Sequence, residues 1–192
     1  MPDYEIQVDG IEIAVEVKQI EPNAGDQHIL APLAHRKATA YFVDMSRAHQ
    51  SILDAAKQLR AYAKGAKPAI AVLYDTVGLL GYLDADSIAR CLYGPALLHI
   101  AIPNDPNREP WVLGNSYGGG RVATEHHNTT LSAVGVLRVT GESDSVSLYH
   151  NAFAALPIDP HRFRFDGVRH LAWRAPDAKH LPSWVDITST PE

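Results

Sequence analysis

The chain has 192 residues and is 46% hydrophobic, which suits one domain with its own core. Its formal charge of −5 argues against indiscriminate coating of nucleic acid but leaves room for a local basic strip. One cysteine, Cys91, rules out an internal disulfide and a CxxC zinc site, and no apolar run attains the ~18–20 residues that span a bilayer.

The first predicted element is the most informative. Asp9-Gly10 between two alternating runs predicts a hairpin closed by a two-residue type I′ turn. Partners across such a turn have numbers summing to 19, so Val8 faces Ile11, Glu5 faces Ala14 and Asp3 faces Glu16. Alternation then puts Tyr4, Ile6, Val8, Ile11, Ile13, Val15 and Val17 on one face. Asp3, Glu5, Gln7, Glu12, Ala14, Glu16 and Lys18 occupy the other. Directly opposed residues have Cβ atoms roughly 4.5–5.5 Å apart, so two facing carboxylates repel unless a cation lies between them. A hard, oxygen-seeking ion such as Mg²⁺ answers that repulsion. The plain alternative is the solvated face of an amphipathic hairpin, and a one-residue slip in register would undo the pairing.

Residues 19–40 hold Pro22, Gly25 and Pro32, show no clean period, and read as a loop or insertion with a short helix near residues 30–36. Residues 39–43 are a strand candidate. A helix capped by Ser46 or Ser51 follows as far as Gly65, with Ile52, Ala55, Ala56, Leu59 and Ala63 as its core face. Gln58 and Tyr62, four apart, are neighbours on its surface, and Asp54 extends their row. Between Arg47 and Lys67 the bases Arg47, Lys57, Arg60, Lys64 and Lys67 face one acid, Asp54. They form either a phosphate-binding strip or an ordinary solvated helix face. After Pro68, residues 69–74 are a continuous apolar run ending at Asp75, the pattern of a buried strand. Asp84 caps a second helix to about Tyr93, and residues 96–102 read as another buried strand cut off by Pro103. Further strands are expected at residues 111–113, 131–139 and 146–149, joined by 114–128 and 140–144. Residues 157–192, with Pro160, Pro176 and Pro182, read as irregular structure wrapping the core, with one or two short helices or strands.

Pro2-Asp3, followed a dozen residues later by Glu16-Val17-Lys18, resembles the signature of the PD-(D/E)xK nuclease superfamily. Gln58-Leu59-Arg60-Ala61-Tyr62 is similar to the Q-x-x-x-Y element of its RecB-like and lambda-exonuclease-like branch. The resemblance covers roughly residues 2–75. It implies a mixed α/β (α+β) fold with a restriction-endonuclease-like core, a central mixed sheet flanked by helices. Residues 1–192 would form one domain, its core at about 1–102 and a strand-rich extension at 103–192. The resemblance further implies Mg²⁺- or Mn²⁺-dependent hydrolysis of DNA phosphodiester bonds. Asp3, Glu16 and the Val17 carbonyl would hold the metal, and Lys18 would align or deprotonate the attacking water or steady the phosphate. Gln58 and Tyr62 would brace the site, while Lys57, Arg60 and Lys64 would hold the DNA backbone.

Two departures bear on that reading. Many members of the superfamily carry a glutamate on a helix before the first catalytic strand, and no such helix fits between Met1 and Asp3: this branch lacks it, the chain start is truncated, or another carboxylate substitutes. Lys18 and Gln58 are also separated by 39 residues, which implies an insertion. The alternative is therefore a catalytically inactive relative that binds nucleic acid or serves as a protein-interaction subunit. The chain start lacks the basic and apolar regions of a signal peptide, so a cytoplasmic location without membrane partners is expected. Association into a homo-oligomer or with a partner subunit stays open.

Other constellations carry less. Gly118-Gly119-Gly120-Arg121 lacks the Walker lysine and hydroxyl and reads as a flexible connection, open to touching substrate through Arg121. His126 and His127 point to opposite faces of an extended segment, which disfavours a shared metal. His150-Asn151 reads as a hydrogen-bonding corner, and Ser116, Ser132 and Ser143 lack a nucleophile-elbow context.

Overall fold

A type I′ turn requires positive φ at both central residues, and Asp9 (48°) and Gly10 (78°) supply it. They do so in a computed structural model that describes residues 1–35, 45–76, 83–139 and 143–188. The turn joins β1 (Tyr4–Val8) to β2 (Ile11–Ile20) in the expected register, from Val8 opposite Ile11 to Tyr4 opposite Val15. The chain continues through α1 (Ala24–Ala34), α2 (Ser46–Ala63), β3 (Ala69–Asp75) and α3 (Ala85–Tyr93). Then come β4 (Ala96–Ala101), β5 (Trp111–Tyr117), β6 (Leu131–Val139), β7 (Asp144–His150), β8 (Val168–Arg174) and β9 (Ser183–Asp186).

Seven strands form one mixed sheet in the order β1-β2-β3-β6-β7-β8-β9. The pairs β2–β3, β3–β6 and β7–β8 are parallel, and the others are antiparallel. This is the mixed α/β architecture with a central mixed sheet that the sequence pattern indicates. On one face α2 lays Ala48, Ile52, Ala55, Ala56, Leu59 and Ala63, all buried, over Ala14, Ala71 and Leu73. The other face carries Val8, Ile13, Val15, Ile70, Ala133 and Leu148, covered by Ile158 and Phe163 from the segment between β7 and β8. Ser132 is the bulged residue where the β3–β6 register shifts. Its hydroxyl accepts from the Ala69 amide (3.0 Å) and donates to Leu156 O (2.6 Å), so it is a sheet fastener and not a nucleophile.

Three segments depart from the sequence expectation. Most of the loop expected from residue 19 onward is regular: β2 runs on to Ile20, residues 21–23 form a short connection, and α1 spans Ala24–Ala34 with Pro32 inside it. A reciprocal cap starts this helix, with Asn23 Oδ1 accepting from the Asp26 amide (2.9 Å) and Asp26 Oδ2 from the Asn23 amide (2.7 Å). Asp26 also pairs with Arg47 at 2.6 Å, tying α1 to the start of α2. The strand candidate at residues 39–43 lies outside the described residues.

The second departure is β4, expected to be buried. It pairs with β5 alone, in a two-stranded ribbon apart from the main sheet, and Leu97, Leu98, Ile100 and Ile102 are exposed. An apolar run records what a strand could bury, not what lies beside it. Third, the proline-bearing tail holds two strands as expected, but β8 and β9 extend the main sheet itself instead of wrapping the core.

Asp84 caps α3 as expected, its Oδ1 accepting from the Ser87 amide at 2.7 Å. At the far end Gly94 has φ 76°. A Cβ there would lie 2.9 Å from the carbonyl oxygens of both Gly118 and Gly119, so this close approach requires glycine.

Candidate functional site

The hairpin register sets out the site. Glu16 and Lys18, two residues apart on β2, share the sheet face that α2 covers. Lys18 Nζ donates to Glu16 Oε1 at 2.7 Å and to Gln58 Oε1, on α2, at 2.8 Å. Glu16 is 4% exposed. Its second oxygen, Oε2, is buried and, among the described residues, has no hydrogen-bond partner. A buried carboxylate oxygen left so costs free energy unless a cation or donor meets it.

Asp3 is exposed and one residue ahead of the Tyr4–Val15 pair, so the register extended by one step puts it opposite Glu16. Its Oδ2 accepts from the Val17 amide at 2.8 Å, which pins the carboxylate to β2. The motif residues Asp3, Glu16, Val17, Lys18 and Gln58 are therefore brought together by one hairpin and one helix. A cleft of about 450 Å³ opens beside them, lined by Lys18, Gln19, Asp54, Lys57 and Gln58 among others.

Tyr62 is placed differently. Its hydroxyl donates to Glu5 Oε1 at 2.5 Å, and Lys67 Nζ reaches the same oxygen at 2.7 Å and also bonds Glu12. Lys67, Tyr62 and Glu12 hold the exposed Glu5 carboxyl down at about 2. Glu12 and Glu5 raise the Lys67 ammonium above its usual range. Tyr62 thus clamps the C-terminal end of α2 to the hairpin. Glu5 and Glu12 share the carboxylate face, so the register found them; their tie to Lys67 was not legible, because Lys67 lies beyond the helix.

Of the other basic candidates, Lys57 borders the cleft, whereas Arg60 on α2 and Lys64 just past its C-terminus are exposed and do not line it. Arg121 is exposed near the C-terminal end of α3, its Cγ 3.1 Å from where a Gly94 Cβ would stand. The glycine loop packs against that helix end: the amides of Val122 and Ala123 satisfy the carbonyls of Cys91 and Leu92 at 3.0 and 2.9 Å. Those amides are spent on a helix C-terminus, which attracts cations and not phosphate.

Cys91, His150 and His170 resolve as structural. Burial pushes the Cys91 thiol up to about 12, far from a thiolate at neutral pH. Asn151 is the hydrogen-bonding corner expected, donating to Leu131 O at 2.7 Å and accepting from the Phe153 amide at 3.0 Å. His150 adds an interaction that sequence spacing did not reveal. Phe163 O can only accept, so His170, fully buried, donates from Nε2 at 2.7 Å. Its Nδ1 then accepts from His150 Nε2 at 2.9 Å, which fixes the tautomer needed at both rings. Burial lowers the His150 imidazole to about 4, with His170 adding to the shift, and burial lowers His170 as well.

Among the described residues no group of three or more His, Cys, Asp or Glu side chains is placed to hold a metal. Two carboxylates with an unpartnered buried oxygen still fit Mg²⁺ or Mn²⁺, ions that complete their shell from water and substrate phosphate. No described helix is long and apolar enough to cross a membrane. Comparison with family models, curated proteins and solved structures returns no match.

Proposed function

We propose that this protein is a metal-dependent nuclease that hydrolyses phosphodiester bonds of DNA. The observation that carries the reading is Glu16: a buried carboxylate with one oxygen on Lys18 and the other unpartnered, opposite Asp3 in the hairpin register. Asp3 and Glu16 would hold Mg²⁺ or Mn²⁺, with the Val17 carbonyl as a further ligand. Such an ion, when bound, lowers the pKa of its water and offsets charge on the phosphoryl oxygens. The chain's own groups do the rest. Lys18, held between Glu16 and Gln58, presents its ammonium at the cleft to align the water or neutralise a nonbridging oxygen. Lys57 at the cleft edge contacts the nucleic-acid backbone, and the exposed Arg60 on α2 and Lys64 just after it extend that contact.

Support also comes from topology: an antiparallel hairpin carries both motif carboxylates, and α2 returns the chain to a strand parallel to β2. Cleavage of linear duplex, circular duplex and single-stranded DNA with Mg²⁺, Mn²⁺ or EDTA tests the proposal. Metal-dependent cutting that disappears in Lys18→Ala supports it. Full activity in the Asp3→Ala/Glu16→Ala double variant refutes it.

A second reading is a nuclease-like module that binds nucleic acid or protein without hydrolysis. The ligand set favours it, since among the described residues no third ligating side chain joins the two carboxylates, and two alone hold a metal weakly. Calorimetry with Mn²⁺ separates the two: heat of binding lost in Glu16→Gln favours the enzyme, and none in the native chain favours the module.

A further inference from the structure

Glu16 and Asp26 are buried to nearly the same degree, 4% and 3% exposed, yet the fold satisfies them differently. Asp26 is held by Arg47 at 2.6 Å and by the Asn23 amide at 2.7 Å, within the cap that starts α1. Glu16 receives the Lys18 ammonium on Oε1. Among the described residues its Oε2 is the one buried side-chain nitrogen or oxygen without a hydrogen-bond partner. A guanidinium is a rigid fork suited to a lasting ion pair, whereas an ammonium is a compact charge on a flexible stem. The two carboxylates therefore differ in how easily their cation can be exchanged.

The partners of the Glu16–Lys18 pair also differ in freedom to move. Glu16 stands on β2, between β1 and β3, with its side chain buried. The Lys18 side chain is partly exposed, borders the cleft, and has a second acceptor in Gln58 Oε1 at 2.8 Å. An ammonium that leaves Glu16 thus stays tethered at the cleft. Charge sets the direction of exchange. The Val17 amide pins Asp3, and the register puts Asp3 opposite Glu16, so two carboxylates and one ammonium leave one negative charge there. Adding a divalent ion to all three turns that excess positive, and like charges repel most where water is excluded. The ion without the ammonium balances the two carboxylates.

We infer that Lys18 is a displaceable stand-in for the divalent ion at Glu16: the ion takes Glu16, and the ammonium moves off it to Gln58 and the cleft. This rests on the metal-dependent reading above and deepens it, making Lys18 a competitor of the ion as well as a partner of the substrate. The bond that steadies the metal-free chain then opposes ion binding. Removing the ammonium weakens the metal-free fold, and an ion that replaces the lost partner of Glu16 recovers that loss as affinity. Titration calorimetry with MnCl₂ alone tests it on the native chain, Lys18→Met and Lys18→Gln, with circular dichroism as the check on folding. Lys18→Met is expected to bind Mn²⁺ at least ~10-fold more tightly than the native chain. Lys18→Gln keeps a neutral donor for Glu16, which protects the fold should Lys18→Met unfold, and its affinity falls between the two. Adding Glu16→Gln to either variant removes the gain. Variants that bind Mn²⁺ no more tightly than the native chain overturn the inference and leave the metal site standing, as does a gain that survives Glu16→Gln. No binding by the native chain and the variants alike overturns the metal-dependent reading and this inference with it.

Discussion

Lys18→Met isolates the energetic link on which the site rests. The substitution keeps most of the apolar stem and removes the ammonium, leaving Glu16 with neither oxygen partnered. A charge-assisted hydrogen bond is worth about 1.5–3 kcal/mol, and stripping one partner from a fully buried ion pair costs about 3–5 kcal/mol. The Glu16 side chain is 5% exposed but that of Lys18 is 23%, so water can enter where the ammonium was. The expected loss is therefore about 2–3 kcal/mol, below the range for a fully buried pair. Urea unfolding in EDTA at pH 7, followed by tryptophan fluorescence, measures it. Adding Glu16→Gln removes the uncompensated charge and should bring the double variant within about 1 kcal/mol of the native chain. Mn²⁺ at a hundred times its dissociation constant should stabilise the native chain by about 2.7 kcal/mol, and leave Asp3→Asn/Glu16→Gln unaffected. A Lys18→Met variant within about 0.5 kcal/mol of native refutes the buried pair, and equal Mn²⁺ stabilisation of the carboxylate variant removes the metal from this site.

Two further outcomes follow from other parts of the fold. His150 is lowered to about 4 in the folded chain from 6.5. Between those values the unfolded chain binds the extra proton, so stability falls as pH drops through that window, by up to about 3 kcal/mol. His150→Gln should flatten the profile of unfolding free energy against pH from 6.5 to 4; an unchanged slope assigns the acid sensitivity elsewhere. Gly94→Ala forces a Cβ to positive φ and within 2.9 Å of two backbone oxygens, so a loss of about 2–4 kcal/mol in chemical denaturation is expected. A loss under about 0.5 kcal/mol would mean that the glycine loop does not pack on α3 as described.

Local rules determined much of this protein from the sequence. Asp9-Gly10 dictates the turn because few residues tolerate positive φ, and the turn fixes register because side chains alternate with period two. From that register alone Asp3, Glu16 and Lys18 fall on one face, and helical spacing sets Gln58 and Tyr62 on one flank of α2. The buried strand Ala69–Asp75 and the Asp84 cap were equally readable, since both are written within a few residues. The Asn23-Asp26 cap was readable too, but the prolines and glycine around it obscured a helix that this reciprocal pair starts.

What a side chain meets across the fold was decided only by tertiary packing. Gln58 and Tyr62 are one turn apart, yet one meets Lys18 and the other Glu5, because α2 crosses two positions of the carboxylate face. His150 finds His170 only because β7 and β8 pair in parallel. Residues 96–101 carry the apolar pattern of a core strand but form an exposed ribbon, since hydrophobicity sets the tendency to be buried while topology decides whether a covering layer exists. The orphaned oxygen of Glu16 belongs to the same class: the sequence supplies a carboxylate, and only the closing of α2 over β2 removes it from water.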